Sequence, residues 1–274
     1  MNLPYLVPRI IRHFLPEPAT RFLLLRSMII KPGMETADAA AAVARYTAVL
    51  AARGVNLAGK AILVFGYGGR FDLGVGLLAA GAGHVVLCDP YAPPDHDHNK
   101  TLVGVHPSFL YLDGDSPRLR PEYARLLQGD VRDDAQTRGI EPVDIVVSTS
   151  VLEHVEDPPG NLRALRRLTR ADGIHIHFVD LRDHFFRYPF EMLHYSERIW
   201  RAWLNPSSNH NRYRLWDYRR VFEENFGEVE VQTLGDDVPA FEAARSRIRP
   251  EFISGNLAED AATLIRVVAH QPRT

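Results

Sequence analysis

Cysteine, net charge and long apolar runs are all scarce in this sequence. Cys88 is the only cysteine among 274 residues, which excludes an intrachain disulfide and a multi-cysteine zinc site. The formal net charge is −2 at pH 7, so nothing attracts nucleic acid broadly, and we expect no such partner. No apolar run approaches the ~20 residues of a membrane-spanning helix, and the N-terminus lacks a signal-peptide pattern. These absences favour a cytoplasmic protein.

Apolar residues are plentiful, at 46% of the chain, and they alternate between strand-like and helix-like segments. Strand-like runs lie at 61–65, 84–88, 124–128, 143–148 and 173–179, and helix-compatible stretches lie at 71–81, 133–139 and 158–170. This alternation predicts an α/β fold with a doubly wound sheet, in which helical crossovers join parallel strands. The span 91–123 is rich in Pro, His and Asp and is expected to be an irregular excursion with a short helix. Helices near 195–204 and 214–226 and strands at 228–234 and 262–270 are expected after residue 180.

Residues 1–54 are expected to form an N-terminal helical cap. The stretch "TADAAAAVARYTAVLAARG" predicts a helix that Thr36 caps and Gly54 ends. Before it, one helical face carries Leu3, Leu6, Val7, Ile10, Ile11 and Phe14, whereas Arg9, Arg12 and His13 lie elsewhere around the wheel. The apolar stripe either packs on the domain, which we favour, or forms a peripheral membrane contact through residues 1–32.

The stretch "ILVFGYGGRFDLGVGLLAAGAGHVVLCDP", residues 62–90, combines a strand, a glycine turn, a helix and a second strand. Gly66 and Gly68 lack side chains where the chain leaves the first strand, so a ligand could approach the backbone there. Asp89 ends the second strand, where a carboxylate can accept hydrogen bonds from both ribose hydroxyls. The pattern favours a nucleoside site over a purely structural turn. A nicotinamide dinucleotide is disfavoured because Phe71 replaces the third glycine of its usual motif.

These residues resemble the class I S-adenosylmethionine-dependent methyltransferases, which use a looser glycine loop. In "LLQGDVRD", Asp130 follows the third strand, where that family commonly places an acid near the adenine. The segment "VDIVVSTSVLEHVEDPPGNLRALRRLTRADGIHIHFVDL" then gives the fourth strand, the "LEHV" segment, a helix and the fifth strand in the family's order. The resemblance implies S-adenosylmethionine as the cofactor. It also implies cofactor contacts from Phe65, Gly66, Tyr67, Gly68, Asp89, Pro90, Asp130, Val131, Ser148 and Thr149.

The likeness covers residues 55–182 and extends to "ATLIRVVAH", which is similar to the family's terminal antiparallel strand. It implies a methyltransferase domain over 55–274 that follows the N-terminal cap, with helical substrate-side segments at 185–226 and 237–260. The segments "DLRDHF" and "NRYRLWDY" look like a subgroup of small bacterial methyltransferases from surface-polysaccharide or secondary-metabolite pathways. This implies a small hydroxylated acceptor and favours O-methylation. The oligomeric state is left open.

An alkyl hydroxyl is a poor nucleophile and usually needs a positioned base. The candidates beyond the fourth and fifth strands are His154, Asp180, Asp183 and His184. We rank His184 first as base, with Asp180 orienting it and favouring its imidazolium, and His154 second. His175 and His177 alternate within a strand and are expected to share a structural face. The "DHDH" run at 95–98 defines no fixed coordination geometry, so no metal site is expected.

Two other functions stay open at this stage. A nicotinamide-dependent oxidoreductase would use the same glycine turn for a different cofactor. A non-catalytic, methyltransferase-like binding module would retain the fold without turnover.

Overall fold

The computed structural model describes residues 2–15, 38–185, 187–206 and 209–273 of the chain. Its strands are β1 (Ala61–Phe65), β2 (His84–Cys88), β3 (Leu110–Asp113), β4 (Ser116–Leu119), β5 (Ala124–Leu127), β6 (Val143–Thr149), β7 (Thr169–Asp180), β8 (Phe226–Asp236) and β9 (Ala262–Pro272). Its helices are α1 (Leu3–Phe14), α2 (Ala39–Ala51), α3 (Asp72–Ala79), α4 (His96–Val103), α5 (Asp134–Thr137), α6 (Pro158–Arg167), α7 (Glu197–Ile199), α8 (Leu215–Glu223), α9 (Val238–Ala244) and α10 (Leu257–Asp260). Helix α7 continues as a π-helix over Trp200–Leu204, and 3₁₀ segments cover Glu191–His194, Arg245–Arg247 and Pro250–Phe252.

The main sheet has the strand order β5-β2-β1-β6-β7-β9-β8. The first five strands of this order are parallel, and β9 runs antiparallel to both β7 and β8. Strands β1 and β2 each bury their last four residues, as expected when helices cover both faces of a sheet. The predicted doubly wound sheet with a terminal antiparallel strand is confirmed. From β1, the chain adds β2 and β5 on one side and then β6 and β7 on the other, so the direction in which strands are added reverses between β1 and β6. Open α/β sheets place their ligands at such a point, at the carboxyl ends of the strands.

The span 91–123 is more regular than the sequence suggested. Besides helix α4 it contains a two-stranded antiparallel hairpin of β3 and β4. Gly114, at φ +60°, supplies the left-handed turn between the two strands. Each strand has four residues and buries only one of them, so too little apolar alternation is present to predict the hairpin.

Helix α2 begins later than the sequence suggested. Asp38 is its N-cap, because the Asp38 side chain accepts a hydrogen bond of 2.9 Å from Ala41 N. The predicted cap, Thr36, lies outside the described residues. Gly54, at φ +69°, follows the last turn as expected.

Helix α1 turns its charged face inward and its apolar face outward. Tyr5, Arg9 and Arg12 are buried. The exposed apolar side chains are Leu3, Val7, Ile10, Ile11 and Phe14, which are between 38% and 59% exposed. Leu6 packs on the buried cluster around Trp200, as expected, but the expectation that the apolar stripe packs on the domain is wrong for its other five residues. None of the described helices is long and apolar enough to span a membrane.

Asp183 gives the physical reason for this orientation. It is fully buried, pairs with Arg9 and accepts a hydrogen bond of 2.5 Å from Tyr5 Oη. The Arg9 guanidinium also lies 5.1 to 5.5 Å from the ring centroids of Tyr5, Phe185 and Trp200. A buried carboxylate without a cationic partner costs several kcal/mol, so α1 must present its arginine to the segment after β7.

Arg214 fixes the helical insertion to the end of the sheet. Its side chain is fully buried and donates hydrogen bonds of 2.9 to 3.0 Å to the backbone carbonyls of Leu181, Asp260 and Ala262. Burial lowers the pKa of Arg214 to about 10, yet the guanidinium stays charged at neutral pH. Residues from the insertion are thereby held at the carboxyl ends of β6 and β7.

Candidate active site

The glycine loop after β1 is held by backbone conformation and by Asp89. Gly66, Gly68 and Gly69 have φ values of +83°, +67° and +84°, in the left-handed region that favours glycine. The Asp89 carboxylate accepts hydrogen bonds from Gly68 N at 3.1 Å and from Tyr91 N and Ala92 N at 2.9 Å. The half-buried carboxylate and the bare loop backbone thus lie next to each other at the carboxyl ends of β1 and β2.

Tyr67 does not obstruct the outer face of this loop. Its ring is buried, stacks on Phe71 at 6.2 Å and donates a hydrogen bond of 3.2 Å to Ala92 O. Asn99, which the sequence analysis did not identify, holds the loop from α4 by accepting from Phe71 N and donating to Gly69 O, both at 2.9 Å. The bulky Tyr67 side chain is therefore a core residue.

The remaining predicted cofactor residues have different surroundings. Asp130 is held by Arg132, whose Nε and Nη2 atoms donate to the carboxylate at 2.6 to 3.0 Å and hold its pKa below the usual range. Phe65 and Val131 are buried in the core, whereas Pro90 is exposed. Of this group, Asp130 is the one that presents polar side-chain atoms at the sheet edge.

Ser148 and Thr149 use their side chains internally. The Thr149 hydroxyl shares a hydrogen bond of 2.9 Å with the Tyr46 hydroxyl. The Ser148 hydroxyl lies 2.6 Å from Nδ1 of His177, and His177 Nε2 lies 3.1 Å from Nδ1 of His175. The two histidines share one buried face, as predicted.

Thr169, at the end of this series of hydrogen bonds, determines which atom donates and which accepts in each of them. Thr169 Oγ1 donates to Leu165 O at 2.7 Å, so it must accept from His175 Nε2 at 2.8 Å. His175 Nδ1 then accepts from His177, and His177 Nδ1 accepts the Ser148 proton. Burial lowers the pKa of both histidines, to about 3 for His177, so both are neutral.

Four side chains meet on the opposite side of the crevice: Glu153 and His154 after β6, His184 after β7, and His210 from the insertion. The His184 ring centroid lies 4.7 Å from that of His154 and 4.8 Å from that of His210. One ligand-type atom from each of Glu153, His154 and His184 lies within 4.8 Å of the others. Two of the predicted catalytic residues are therefore brought together, with a carboxyl group that was not predicted.

Asp180 does not take the predicted position as partner of His184. Its carboxylate accepts hydrogen bonds from Nε and Nη2 of Arg182 at 3.0 and 2.7 Å. Burial, the His154 ring and the cations Arg9, Arg12 and Arg182 lower the pKa of His184 to about 2. The prediction that Asp180 favours the imidazolium of His184 is wrong, because Asp180 pairs with Arg182 and the pKa of His184 is lowered.

Asp183, the fourth candidate, lies beneath α1 and belongs to the ion pair with Arg9. Two residues of the cluster were missed from the sequence. Glu153 stood within the quoted "LEHV" segment, next to His154, but adjacent residues alone do not show which side chains share a site. His210 gave no signal, because the insertion folds over the crevice only through tertiary contacts.

Two sets of contacts connect the glycine loop, the "LEHV" segment and the insertion. Val151 packs against the Cα atom of Gly66, so closely that a Cβ atom there would overlap its Cγ atoms. Asn211 N donates to Glu153 O at 3.0 Å, and the Asn211 side chain donates to the carbonyls of Leu152 and Val155. The "NRYRLWDY" segment is thereby fixed to the "LEHV" segment.

Comparison with known proteins agrees with this geometry. Residues 78–177 match the family described as "Methyltransferase domain". A similar solved structure is the 1,6-didemethyltoxoflavin-N1-methyltransferase of Burkholderia thailandensis, at 16% identity and TM-score 0.50, covering 94% of this chain and 92% of that chain. Another is a putative O-methyltransferase from Nostoc punctiforme, at 11% identity and TM-score 0.52, covering 97% and 67%. A search of curated protein sequences gave no match.

The domain match and the structural similarity concern the same part of the molecule. The matched residues run from the end of α3 into β7 and include Asp89, the "LEHV" segment and the parallel strands β2, β5 and β6, whereas β1 and the glycine loop precede the match. The strand order with its antiparallel β9 agrees with the fold of these neighbours. The chain therefore has the fold of the class I methyltransferases, and its residues 78–177 match a methyltransferase domain.

Proposed function

We propose that this protein methylates a hydroxyl group of a small metabolite or glycan precursor with S-adenosylmethionine. The observation that carries the proposal is the contact of Val151 with Gly66, because it joins the glycine loop to the segment bearing Glu153 and His154. The backbone that we propose binds the cofactor thus lies next to the side chains that we propose bind the acceptor. The similar structures support the proposal in part, since one is described as an O-methyltransferase and another has S-adenosylhomocysteine bound.

The residues of the glycine loop fit the proposed cofactor. S-adenosylmethionine supplies an electrophilic methyl group on a sulfonium ion, so the protein has to align it with the acceptor and exclude water. We propose that the Gly66–Gly69 backbone holds the methionine part and that Asp89 accepts from the ribose hydroxyls. Asp130 and Val131 would flank the adenine, and Phe65 and Pro90 would complete the pocket. Tyr67, Ser148 and Thr149 would contribute backbone groups, because their side chains bond within the protein.

The acceptor side uses His154, His184 and Asp180 in our proposal. A neutral imidazole can accept a hydrogen bond from a hydroxyl group, which keeps His184 as a residue that orients the acceptor, and His154 becomes the first candidate for the base. Asp180, held by Arg182, would position the end of β7 rather than His184 itself. The segments 185–226 and 237–260 would cover the acceptor. The N-terminal cap, residues 1–54, would close the neighbouring side of the acceptor site.

The exposed face of α1 supports a peripheral membrane contact. Phe14 and Trp203 lie ring to ring at 5.7 Å, and Trp203 is 54% exposed, so the apolar face extends beyond α1. Residues 1–32 also contain Arg21, Arg26 and Lys31, with Glu17 as their one acidic residue. An exposed apolar helix face in a segment whose sequence carries mostly basic charge fits an anionic lipid surface. We therefore propose that the protein is cytoplasmic and contacts the membrane surface through α1.

A methyl-transfer assay tests the proposed function. The purified protein is incubated with S-adenosylmethionine and a panel of small hydroxylated compounds, and mass spectrometry follows the gain of one methylene unit. Transfer to a hydroxyl group is expected, and transfer to a nucleic acid alone would contradict the proposed acceptor class. Affinity for NAD without affinity for S-adenosylhomocysteine would favour an oxidoreductase. Binding of S-adenosylhomocysteine without turnover would favour a non-catalytic module.

A further inference from the structure

The cluster of Glu153, His154 and His184 has the composition and spacing of a metal site. One imidazole nitrogen or carboxylate oxygen from each residue lies within 4.8 Å of the others. Ligands bound to one ion at about 2.0–2.2 Å lie roughly 3–4 Å apart, so small side-chain rotations bring the three atoms to coordination distance. The residues follow β6 and β7, at the edge where open α/β sheets place their ligands.

Two buried polar atoms in this cluster support a ligand there. Glu153 Oε2 and His210 Nδ1 have no hydrogen-bond partner among the described residues, although each residue is only 1% exposed. A buried carboxylate oxygen that bonds nothing costs free energy, and a cation would compensate it. The other oxygen, Oε1, accepts from Asp180 N at 3.3 Å, which fixes the position of the carboxyl group.

The orientation of His154 also suits metal binding. Its Nδ1 atom lies 2.9 Å from Asn209 O, and a carbonyl only accepts, so Nδ1 carries the proton. Nε2 is then the nitrogen with the lone pair. Asn209 is held in turn, because its side chain donates to His154 O at 2.9 Å and its backbone has φ +53°. A histidine whose second nitrogen donates to a backbone carbonyl is the usual arrangement for a metal ligand.

Nearby arginines lower the affinity of this cluster for a metal ion, but they do not exclude one. Arg9 is paired with Asp183, and Arg182 is paired with Asp180. Arg12 is buried beside them, and burial together with Arg9 lowers its pKa to about 10, so it remains positively charged at neutral pH. We therefore expect a site that loses its ion to a chelator.

We propose that Glu153, His154 and His184 bind a divalent transition-metal ion, with open coordination positions facing the acceptor. Two histidines and one carboxylate suit Zn²⁺, Mn²⁺, Fe²⁺ or Co²⁺. His210, next to His184, is the nearest further imidazole and can serve as a fourth ligand. The catalytic role of the ion rests on the proposed function. An acceptor hydroxyl bound to the ion would have a lowered pKa and would lose its proton to water. Its oxygen would then bond to the methyl carbon as the bond from that carbon to the sulfonium sulfur breaks, which releases S-adenosylhomocysteine.

Metal binding is tested on the full-length protein after treatment with a chelator. Calorimetric titration with Zn²⁺, and absorption spectra with Co²⁺, are expected to show one ion per chain. Glu153→Gln and His184→Gln should bind at least about tenfold more weakly. His98→Gln is the matched control, because His98 also pairs with a carboxylate, that of Asp72 at 2.7 Å, but lies on α4 outside the cluster. This control should bind metal like the wild type.

The outcomes separate the metal proposal from the proposed function. Wild-type protein that binds S-adenosylhomocysteine but none of these ions overturns the metal site and leaves the methyltransferase proposal standing. Equal metal affinity in Glu153→Gln, His184→Gln and the control would overturn it too. If a variant does not fold, the NMR spectrum of Co²⁺-bound wild type decides. Paramagnetically shifted imidazole N–H signals from two histidines support the site, and their absence contradicts it.

Discussion

Gly66 shows how the absence of one side chain shapes the site. Its φ of +83° is strained for any other residue, and a Cβ atom would overlap Val151. We expect Gly66→Ala to reduce the free energy of unfolding by roughly 2–4 kcal/mol, as strain and overlap add. Urea unfolding measures the change. Gly59→Ala is the matched control, with φ +71° and no atom within 4 Å of the added methyl group. Equal losses in both variants would show that contact with Val151 contributes nothing.

His184 is the residue for which the structure differs most from the role predicted from the sequence. A side chain with a pKa near 2 is a poor proton acceptor at neutral pH, but it is neutral and therefore suited to bind a hydroxyl group or a metal ion.

We expect His184→Ala to lower the rate of methyl transfer to an alkyl hydroxyl by ~10²–10⁴, with the affinity for S-adenosylhomocysteine nearly unchanged. Steady-state kinetics and calorimetry measure the two quantities. A loss of less than about tenfold would remove His184 from the acceptor site. The same small loss in His154→Ala would point to an acceptor that needs neither residue.

Sequence patterns predicted single residues unevenly. Asp89 and the glycine loop were identifiable because their positions follow from strand ends. Asn99 and Arg132 were not, because their roles arise from side chains that reach neighbouring segments. The partner of Asp180 was also unpredictable, since Arg182 competes with His184 through contacts that spacing does not reveal.

Helix α1 is the element whose orientation supports the proposed contact of the protein with a membrane surface. Its buried contacts are polar and its exposed face is apolar, so substitutions on the two faces should have different effects. We expect Val7→Gln combined with Ile11→Gln to abolish sedimentation with anionic vesicles, because both side chains are more than half exposed. S-adenosylhomocysteine affinity should not change.

Leu112→Gln provides the control for this experiment. Leu112 is also exposed, at 46%, but belongs to β3 and lies away from α1. Vesicle binding should persist in this variant. Loss of cofactor affinity in the α1 variant, with vesicle binding retained, would indicate that the apolar face contacts protein instead.

The regular elements were largely predictable because their apolar periodicity is strong. Strands β1, β2, β6 and β7 lie within a few residues of their predicted positions. The β3–β4 hairpin and the inward face of α1 were not predicted. Short strands carry little periodicity, and a helix's inward face depends here on a buried ion pair with a residue 174 positions away.

The whole molecule should lose stability in mild acid. Burial lowers the pKa of His175, His177, His184 and His210 from the usual 6.5. Below about pH 6.5 the unfolded chain binds protons that these folded histidines exclude. Each therefore lowers the free energy of unfolding by up to about 1.4 kcal/mol per pH unit as the pH falls.

Two buried carboxyl groups oppose this trend. Burial raises the pKa of Glu153 and Asp183, so the folded protein binds their protons more tightly than the unfolded chain does. The four histidines outnumber them, and we expect a lower urea midpoint at pH 5.5 than at pH 7.5. A midpoint that is equal or higher at pH 5.5 would contradict the neutral state of these histidines.

At the scale of the whole chain, the central claim is that the glycine loop and Asp89 bind the cofactor. Calorimetry with S-adenosylhomocysteine tests it most directly, comparing wild type, Asp89→Ala and the exposed control Asp113→Ala. Loss of a charged hydrogen bond, ~1.5–3 kcal/mol, should weaken binding roughly ten- to hundredfold in Asp89→Ala. The control should bind like the wild type. Unchanged affinity in a folded Asp89→Ala protein, or no binding by the wild type, would contradict the assignment.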